Sequence, residues 1–204
     1  MARLDNGHAS CKLHLRRSCH NSFMSNPHYF VGIQVPIEKH AFYENLQQEL
    51  ELHDYYRRVT HPADLHCTLS FISEVREDQL QWLRDELSQI QLPGFTMKTT
   101  SIKGFGSGKV PRVVYAEVED VESLDNLEQV VWTITEQLGA DRKSPYVPHI
   151  TLAKRAKVQD SITFTGAAEA SFQVSSFHLF QVHKGQSPSY EVIATFSLRS
   201  EGEE

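Results

Sequence analysis

Apolar and polar residues alternate with two different periods along this chain. Three stretches repeat apolar residues every three or four positions, which predicts helices over residues 38–53, 77–90 and 121–139. Short apolar runs bounded by proline, glycine or polar clusters predict strands. These runs cover residues 28–36, 66–72, 95–105, 112–118, 172–174, 177–182 and 190–198, with a further strand starting at 149. The intervening residues 54–65 and 140–148 fit connecting loops.

The predicted elements repeat one order, in which a strand is followed by a long helix, a loop and a second strand. Phe30 in the first strand precedes His66 by 36 positions, and Val114 precedes His149 by 35. This match predicts an internal duplication of one α+β unit, with a pseudo-twofold axis near which the two histidines meet. The predicted fold class is therefore α+β.

One tetrapeptide pattern, His-x-Thr-Leu, occurs on the closing strand of each repeat, at residues 66–69 and again at 149–152. Side chains on a strand alternate between two faces. Strict alternation predicts one face with His66, Thr68 and Ser70, opposite a face with Cys67, Leu69 and Phe71. In the second copy it groups His149, Thr151 and Ala153. Each strand would then turn one face to the core and present an imidazole beside a hydroxyl.

Two imidazoles and two hydroxyls in one cleft suit attack on a phosphodiester. One histidine can take a proton from the nucleophile while the other gives one to the leaving oxygen, and the hydroxyls can bind phosphate oxygens. Which histidine would be the base cannot be read from the pattern. A zinc site built from His61, His66, Cys67 and His149 is an alternative, but Cys67 points away from His66 and the spacing matches no known zinc pattern.

Composition is that of a globular protein of 204 residues with 40% hydrophobic residues. We expect residues 1–23, which lack periodicity, to be a disordered extension or a start-site or cloning artefact, and Met24 is a candidate start. Residues 24–200 are then expected to form one bilobal domain. The three cysteines form no CxxC pair, so we expect the reducing cytoplasm. No apolar run approaches the roughly 20 residues that span a bilayer, so no membrane association is expected.

Charge is distributed unevenly along an acidic chain of net charge −6. The window 87–116 has no acidic residue, and neither does the window 142–159, which encloses the second motif. The basic residues of the two windows are Lys98, Lys103, Lys109, Arg112, Arg142, Lys143, Lys154, Arg155 and Lys157. A local positive site on an acidic protein favours one small anionic group over a long duplex.

Three segments together resemble the 2H phosphoesterase superfamily, which is named for its two His-x-Thr/Ser-x motifs. They are HCTLSF at 66–71, PRVVYAEV at 111–118 and PHITLAK at 148–154. Within the superfamily, the chain is most similar to the bacterial and archaeal RNA 2',3'-cyclic phosphodiesterases, also called LigT-type 2'-5' RNA ligases. The resemblance covers roughly residues 28–198.

The resemblance implies a bilobal fold with two antiparallel sheets flanking a central cleft and helices outside. It implies metal-independent, cofactor-free opening of RNA-terminal 2',3'-cyclic phosphates to 2'-phosphates, with the reverse 2'-5' ligation as a second activity. His66, Thr68, His149 and Thr151 carry over as the catalytic set. The family often has arginine five positions after the second histidine, where this chain has Lys154, which keeps the charge but loses the bidentate geometry.

Three further residues are candidates for substrate binding. Arg112 belongs to a basic window, and Phe71 and Tyr146 could stack on a nucleobase. The expected partner is an RNA or oligonucleotide end with a 2',3'-cyclic phosphate, bound by a monomer without an obligate protein partner. Two alternatives remain: a non-catalytic module that binds nucleotides or RNA ends, and a 2H phosphodiesterase acting on another substrate such as 2'-5' oligoadenylate.

Overall fold

A computed structural model describes residues 27–106, 110–140, 142, 145–157 and 163–200. The described strands are β1 (His28–Gln34), β2 (Tyr56–Val59), β3 (His66–Glu74), β4 (Phe95–Phe105), β5 (Val113–Val118), β6 (His149–Ala156), β7 (Ala167–Val174), β8 (Ser176–Val182) and β9 (Tyr190–Ser197). The α-helices are α1 (His40–Glu49), α2 (Leu52–Tyr55), α3 (Glu77–Ser88) and α4 (Glu122–Thr135). The predicted extension over 1–23, with Met24, and the basic residues Lys109 and Lys143 lie outside the described residues.

The strands form one nine-stranded antiparallel sheet in the order β7-β4-β5-β6-β3-β1-β8-β9, with β2 pairing β6 beside this path. The predicted α+β bilobal fold is confirmed, and its two sheets are joined. The half β7-β4-β5-β6 meets the half β3-β1-β8-β9 through a single residue pair, Cys67 with Ile150. Because β3 and β6 pair nowhere else along the described chain, the motif strands leave an open cleft beyond that pair.

Helices α1 and α4 each contact the half of the sheet to which they do not belong. From α1, the hydroxyl of Tyr43 bonds with that of Thr99 on β4, 3.2 Å away. From α4, the hydroxyl of Thr135 bonds with that of Ser70 on β3, 2.7 Å away. Both contacts are buried beneath the sheet. The exchange of helices thus adds buried contacts between the two halves to the one strand pair that joins them.

Strand register supports the predicted duplication. Gln34 on β1 is the partner of His66, and Glu117 on β5 is the partner of His149. Both pairs are 32 positions apart, since 66 − 34 and 149 − 117 give the same separation. The two histidines therefore hold equivalent places in two copies of the same strand–helix–strand unit.

Two predicted elements differ from the structure. The helix predicted over 38–53 is interrupted, because Glu51 adopts a left-handed backbone with φ of 49° between α1 and α2. The loop predicted over 54–65 contains strand β2, which lies along the outer part of β6. Its sequence, Tyr-Arg-Arg-Val, has too few apolar positions to show a strand period, and its pairing is with residues nearly a hundred positions away.

Candidate active site

A cleft of about 600 Å³ opens where the two motif strands separate. Its wall includes His66 and Thr68 from β3, and Thr151 and Lys154 from β6. His149 is half-buried beside the cleft and is not part of its lining, although its charge acts on His66. The structure thus brings together the two motif strands that the sequence singled out.

A β-bulge interrupts both motif strands at the same position. On β3 the register with β1 passes from Thr68 to Ser70 and leaves Leu69 without a partner. On β6 the register with β5 skips Leu152 in the same way. A bulge reverses the alternation of side chains beyond it. Both unpaired residues are the third after the motif histidine, which extends the likeness between the halves.

The bulges reverse the side-chain directions that strict alternation predicts beyond Leu69 and Leu152. Strict alternation was wrong for Ser70 and Ala153, which are both buried. Phe71 and Lys154 instead share the cleft with the motif threonines. Both are the fifth residue after a motif histidine, so one half presents an aromatic ring where the other presents a cation.

Both motif histidines are fixed in the same tautomer. Nδ1 of His66 lies 2.6 Å from the carbonyl oxygen of Asp64, and Nδ1 of His149 lies 2.8 Å from that of Val147. A carbonyl only accepts hydrogen bonds, so Nδ1 must donate in each ring. In the neutral form Nε2 is then the free base, and proton exchange with a substrate occurs at that atom.

Burial lowers the pKa of both imidazoles by unequal amounts. Desolvation is the largest cause and takes the pKa of His66 to about 4, although its bond to the Asp64 carbonyl opposes the shift. The positive charges of Lys154 and His149 lower it further. Burial also lowers the pKa of His149, against the opposing hydrogen bond to Val147. His66 is therefore the histidine that remains neutral over the wider range of pH.

Asp64 and Tyr190 support His66, and neither was predicted from the sequence. The buried carboxylate of Asp64 accepts hydrogen bonds from the backbone N–H groups of Ser189 and Tyr190, at 2.8–3.0 Å. The ring of Tyr190 meets the imidazole of His66 edge-on, with centroids 5.1 Å apart, and its hydroxyl accepts a bond from Lys154 at 3.2 Å. Asp64 thus fixes the start of β9 against the loop that orients His66.

Aromatic rings enclose each histidine. His66 packs against Phe30, with ring centroids 4.6 Å apart, and Phe30 stacks on Phe180. On the other side, His149 lies edge-on to Phe105 at 4.9 Å and close to Tyr115 at 5.1 Å. These rings account for the desolvation of both imidazoles and fix their orientation.

The three other predicted binding residues differ in location. Phe71 lines the cleft with 49% of its surface exposed. Tyr146 lies on the opposite, core-facing side of β3, where its hydroxyl donates to the carbonyl of Thr68 at 2.9 Å and contacts Cys67. Burial holds the pKa of Tyr146 well above its usual value. Arg112 is exposed at the start of β5, outside the cleft lining.

The positive charge of the cleft does not come from the predicted windows, except at Lys154. Lys98, Lys103 and Arg142 form ion pairs with Glu119, Glu117 and Glu128 respectively. The cleft instead gains its cations from β2, where Arg57 and Arg58 both contribute to the lining. The pairing of β2 with β6 brings both arginines to the cleft, and no local pattern in the sequence predicts this pairing.

The geometry also shows which side chains could act together as ligands of a metal ion. Over the described residues, no three histidine, cysteine, aspartate or glutamate side chains are arranged to hold an ion. Cys67 lies in the core with its pKa raised by burial to about 11, which does not suit a ligand or a nucleophile.

None of the described helices is long and apolar enough to cross a membrane.

The bilobal sheet and the paired His-x-Thr strands define a 2H phosphoesterase. Comparison with known sequences identifies the family: residues 35–115 match the LigT like Phosphoesterase family. A Bacillus subtilis (strain 168) RNA 2',3'-cyclic phosphodiesterase is 33% identical over 180 residues, covering 84% of this chain and 97% of the relative. An Archaeoglobus fulgidus protein of the same name is 26% identical over 141 residues, covering 66% of this chain and 80% of its own. The chain belongs to the LigT-like phosphoesterase family.

Solved structures share the fold. The crystal structure of E. coli LigT in complex with 3'-AMP matches with a TM-score of 0.72 at 22% identity, over 85% of this chain and 99% of that one. A Thermus thermophilus protein matches with a TM-score of 0.72 at 24% identity, over the same shares of the two chains. Both matches extend across the two halves of the sheet.

Proposed function

We propose that this protein hydrolyses RNA-terminal 2',3'-cyclic phosphates to 2'-phosphates. The observation that carries the proposal is the pair of equivalent His-x-Thr strands at one cleft, each with its imidazole held in the same tautomer. The named activity of the B. subtilis relative, which this chain matches over nearly the whole of that relative's length, supports the substrate. A binding module would have no need for two oriented, titrating groups.

In the proposed mechanism, His66 and His149 act as base and acid on opposite sides of the phosphorus. Neutral His66 takes a proton from water through Nε2, and the water oxygen forms a new bond to phosphorus. The bond from phosphorus to the 3'-oxygen breaks, and protonated His149 supplies the proton that this oxygen needs. His66 takes the part of the base because its pKa, about 4, leaves it neutral at the working pH.

Four other side chains complete the proposed site. The hydroxyls of Thr68 and Thr151 donate to the non-bridging oxygens, on which negative charge is held through the reaction. Lys154, oriented by the Tyr190 hydroxyl, adds positive charge beside them. Phe71, half exposed on the same face, offers a stacking surface for the terminal base. With a 5'-hydroxyl in place of water as the nucleophile, the same displacement of the 3'-oxygen would form a 2'-5' linkage, which is the ligase reaction.

Hydrolysis of a nucleoside 2',3'-cyclic phosphate in EDTA tests the proposal. The wild type should form the 2'-phosphate, and His66→Ala and His149→Ala should each lose turnover. His178→Ala is the matched control, because His178 lines a separate cavity on β8 and should retain activity. Absence of turnover of mononucleotide and RNA substrates by a folded wild type would favour the binding-module alternative or another cyclic phosphate.

We also propose that the enzyme acts as a monomer and that it is located in the cytoplasm. The motif residues of both halves come from one chain, so the cleft needs no partner subunit to supply them. Size-exclusion chromatography with light scattering would test the monomer, and cell fractionation the compartment. A dimer that dissociates with loss of turnover would contradict the monomeric site.

A further inference from the structure

Strand β2 places two arginines in the cleft, beyond the motif residues. Arg58 is the register partner of Lys154 across the β2–β6 pair, and the two therefore point to the same face. Arg57 contributes to the lining from the adjacent position. Both arginines are exposed. The cleft is thus extended along β6, away from His66, by a row of cations.

These cations lack acidic partners within the described part of the chain. No ion pair joins Arg57, Arg58 or Lys154 to a carboxylate there. The acid in the cleft lining, Asp64, already accepts hydrogen bonds from two backbone N–H groups, those of Ser189 and Tyr190. Like charges placed opposite each other on neighbouring strands are destabilising, and this chain carries a net charge of −6. A pair of unneutralised cations here is explained by an anionic ligand that completes the site.

His61 adds a hydrogen-bond donor at the edge of the same row. Its Nδ1 accepts from the backbone N–H of Ala63 at 3.2 Å, so the proton of the neutral ring is on Nε2. This tautomer is opposite to that of the two motif histidines. His61 therefore suits donation to a phosphate oxygen and does not suit proton abstraction through Nε2.

We propose that Arg57 and Arg58 form a second phosphate subsite, which binds the phosphodiester immediately upstream of the terminal nucleotide. The inference rests on the proposed function, since it assigns the cyclic phosphate to the motif residues. Its consequence is a preference for oligonucleotide ends over mononucleotides. Guanidinium groups suit this role because their planar donors can bind two phosphate oxygens at once.

The test compares substrates that differ only in the charge of the upstream linkage. The first is a dinucleotide with a phosphodiester linkage and a 2',3'-cyclic end, and the second carries a neutral methylphosphonate linkage instead. The wild type should favour the charged substrate by about tenfold or more in kcat/KM, the size expected for a hydrogen bond between charged groups. Arg57→Gln with Arg58→Gln should abolish this preference, and it should lower turnover of the cyclic mononucleotide far less than turnover of the charged dinucleotide.

Two controls sharpen the comparison. Arg58→Lys keeps the charge without the planar donors and should retain part of the preference. Arg199→Gln removes one exposed arginine outside the cleft lining and should change nothing. The affinities of the two dinucleotide products, each ending in a 2'-phosphate, are measured by calorimetry alongside turnover.

The outcomes separate this inference from the proposed function. Equal kcat/KM and equal affinity for the two linkages in the wild type would overturn the subsite. An equal loss of mononucleotide turnover in the arginine variants would also overturn it, because the arginines would then belong to the cyclic-phosphate site. If the mononucleotide and dinucleotides are not turned over, but the charged product still binds more tightly through Arg57 and Arg58, the subsite stands and the proposed hydrolysis falls.

Discussion

Strands β3 and β6 hold equivalent places in the two halves, and they differ mainly in what surrounds their histidines. Each has a histidine bonded to the carbonyl two residues before it, and each has a bulge at the third residue after it. The fifth residue is Phe71 on β3 and Lys154 on β6. Only His66 has neighbouring cations that lower its pKa further. A repeated scaffold thus supplies two oriented imidazoles, and unequal surroundings separate their pKa values, as an acid and a base require.

The largest loss of kcat should come from replacing the two motif histidines, singly or together. Each single change, His66→Ala or His149→Ala, should lower kcat on the order of 10²–10⁴-fold. The double variant should be scarcely slower than the worse single variant, because an acid and a base in one transition state act as a unit. Single-turnover kinetics measures this directly. Fully multiplicative losses would indicate that the two imidazoles act in separate steps.

The hydroxyls of Thr68 and Thr151 test whether the two motif strands contribute equally to catalysis, and the expected losses are smaller. Thr68→Val and Thr151→Val should each lower kcat/KM by about tenfold to a hundredfold, since a hydrogen bond to a charged group contributes about 1.5–3 kcal/mol. Similar losses are expected because the two threonines occupy equivalent positions two residues after each histidine. Steady-state kinetics on a cyclic mononucleotide gives both values. A loss confined to one threonine would show that the phosphate binds to one strand alone.

The pH dependence of kcat/KM tests how far the pKa values of His66 and His149 differ. A base with its pKa at about 4 and an acid with its pKa below 6.5 give a bell-shaped kcat/KM profile, with an optimum in mildly acidic solution. Lys154→Gln removes a charge that disfavours protonation of His66, so its pKa rises and the acidic limb moves to higher pH. The alkaline limb should stay in place, because Lys154 is not among the causes that shift the pKa of His149.

Lys154→Arg is the matched control for this measurement. It preserves the positive charge, so both limbs should remain where the wild type has them. Movement of the alkaline limb in Lys154→Gln would contradict the assignment of His66 as base and His149 as acid.

Local sequence patterns were sufficient for the long helices and for the two motif strands. Amphipathic periods do not depend on distant residues, so α3 and α4 could be predicted close to their observed bounds. The catalytic candidates could be predicted because the same short pattern occurs twice. Both types of inference use information contained within a few consecutive residues.

The remaining features of the site depend on long-range pairing. The bulges at Leu69 and Leu152 follow from register with β1 and β5, and they reverse the directions of Phe71 and Lys154. The bond from Tyr190 to Asp64 joins residues 126 positions apart. No single-strand pattern contains such contacts, which is why the support of His66 and the arginines of β2 could not be inferred.

The smallest expected effects come from two side-chain hydrogen bonds, which we call braces, that each half of the molecule makes to the bulged strand of the other half. The carbonyl of Thr68 accepts a bond from Tyr146, which belongs to the second half. The carbonyl of Leu152 accepts one from the buried side chain of Gln47, which belongs to the first half and also bonds to Thr60. Each bulge is therefore held by a side chain from the opposite repeat.

The two braces differ in how much their loss should cost. Tyr146→Phe removes the hydrogen bond to the Thr68 carbonyl and the weaker one with Cys67 Sγ, and it should lower the free energy of unfolding by about 0.5–1.5 kcal/mol. Gln47→Leu should lower it by about 1–3 kcal/mol, because it withdraws a donor from two carbonyl groups, one of them on the buried Leu152. Urea denaturation gives both values, and Gln81→Leu on the exposed side of α3 should stay within about 0.5 kcal/mol of the wild type. In both brace variants kcat should change little at a temperature where they remain folded. A large loss of kcat/KM in a stable Tyr146→Phe protein would instead place that ring in contact with the substrate, on the face of β3 that carries His66.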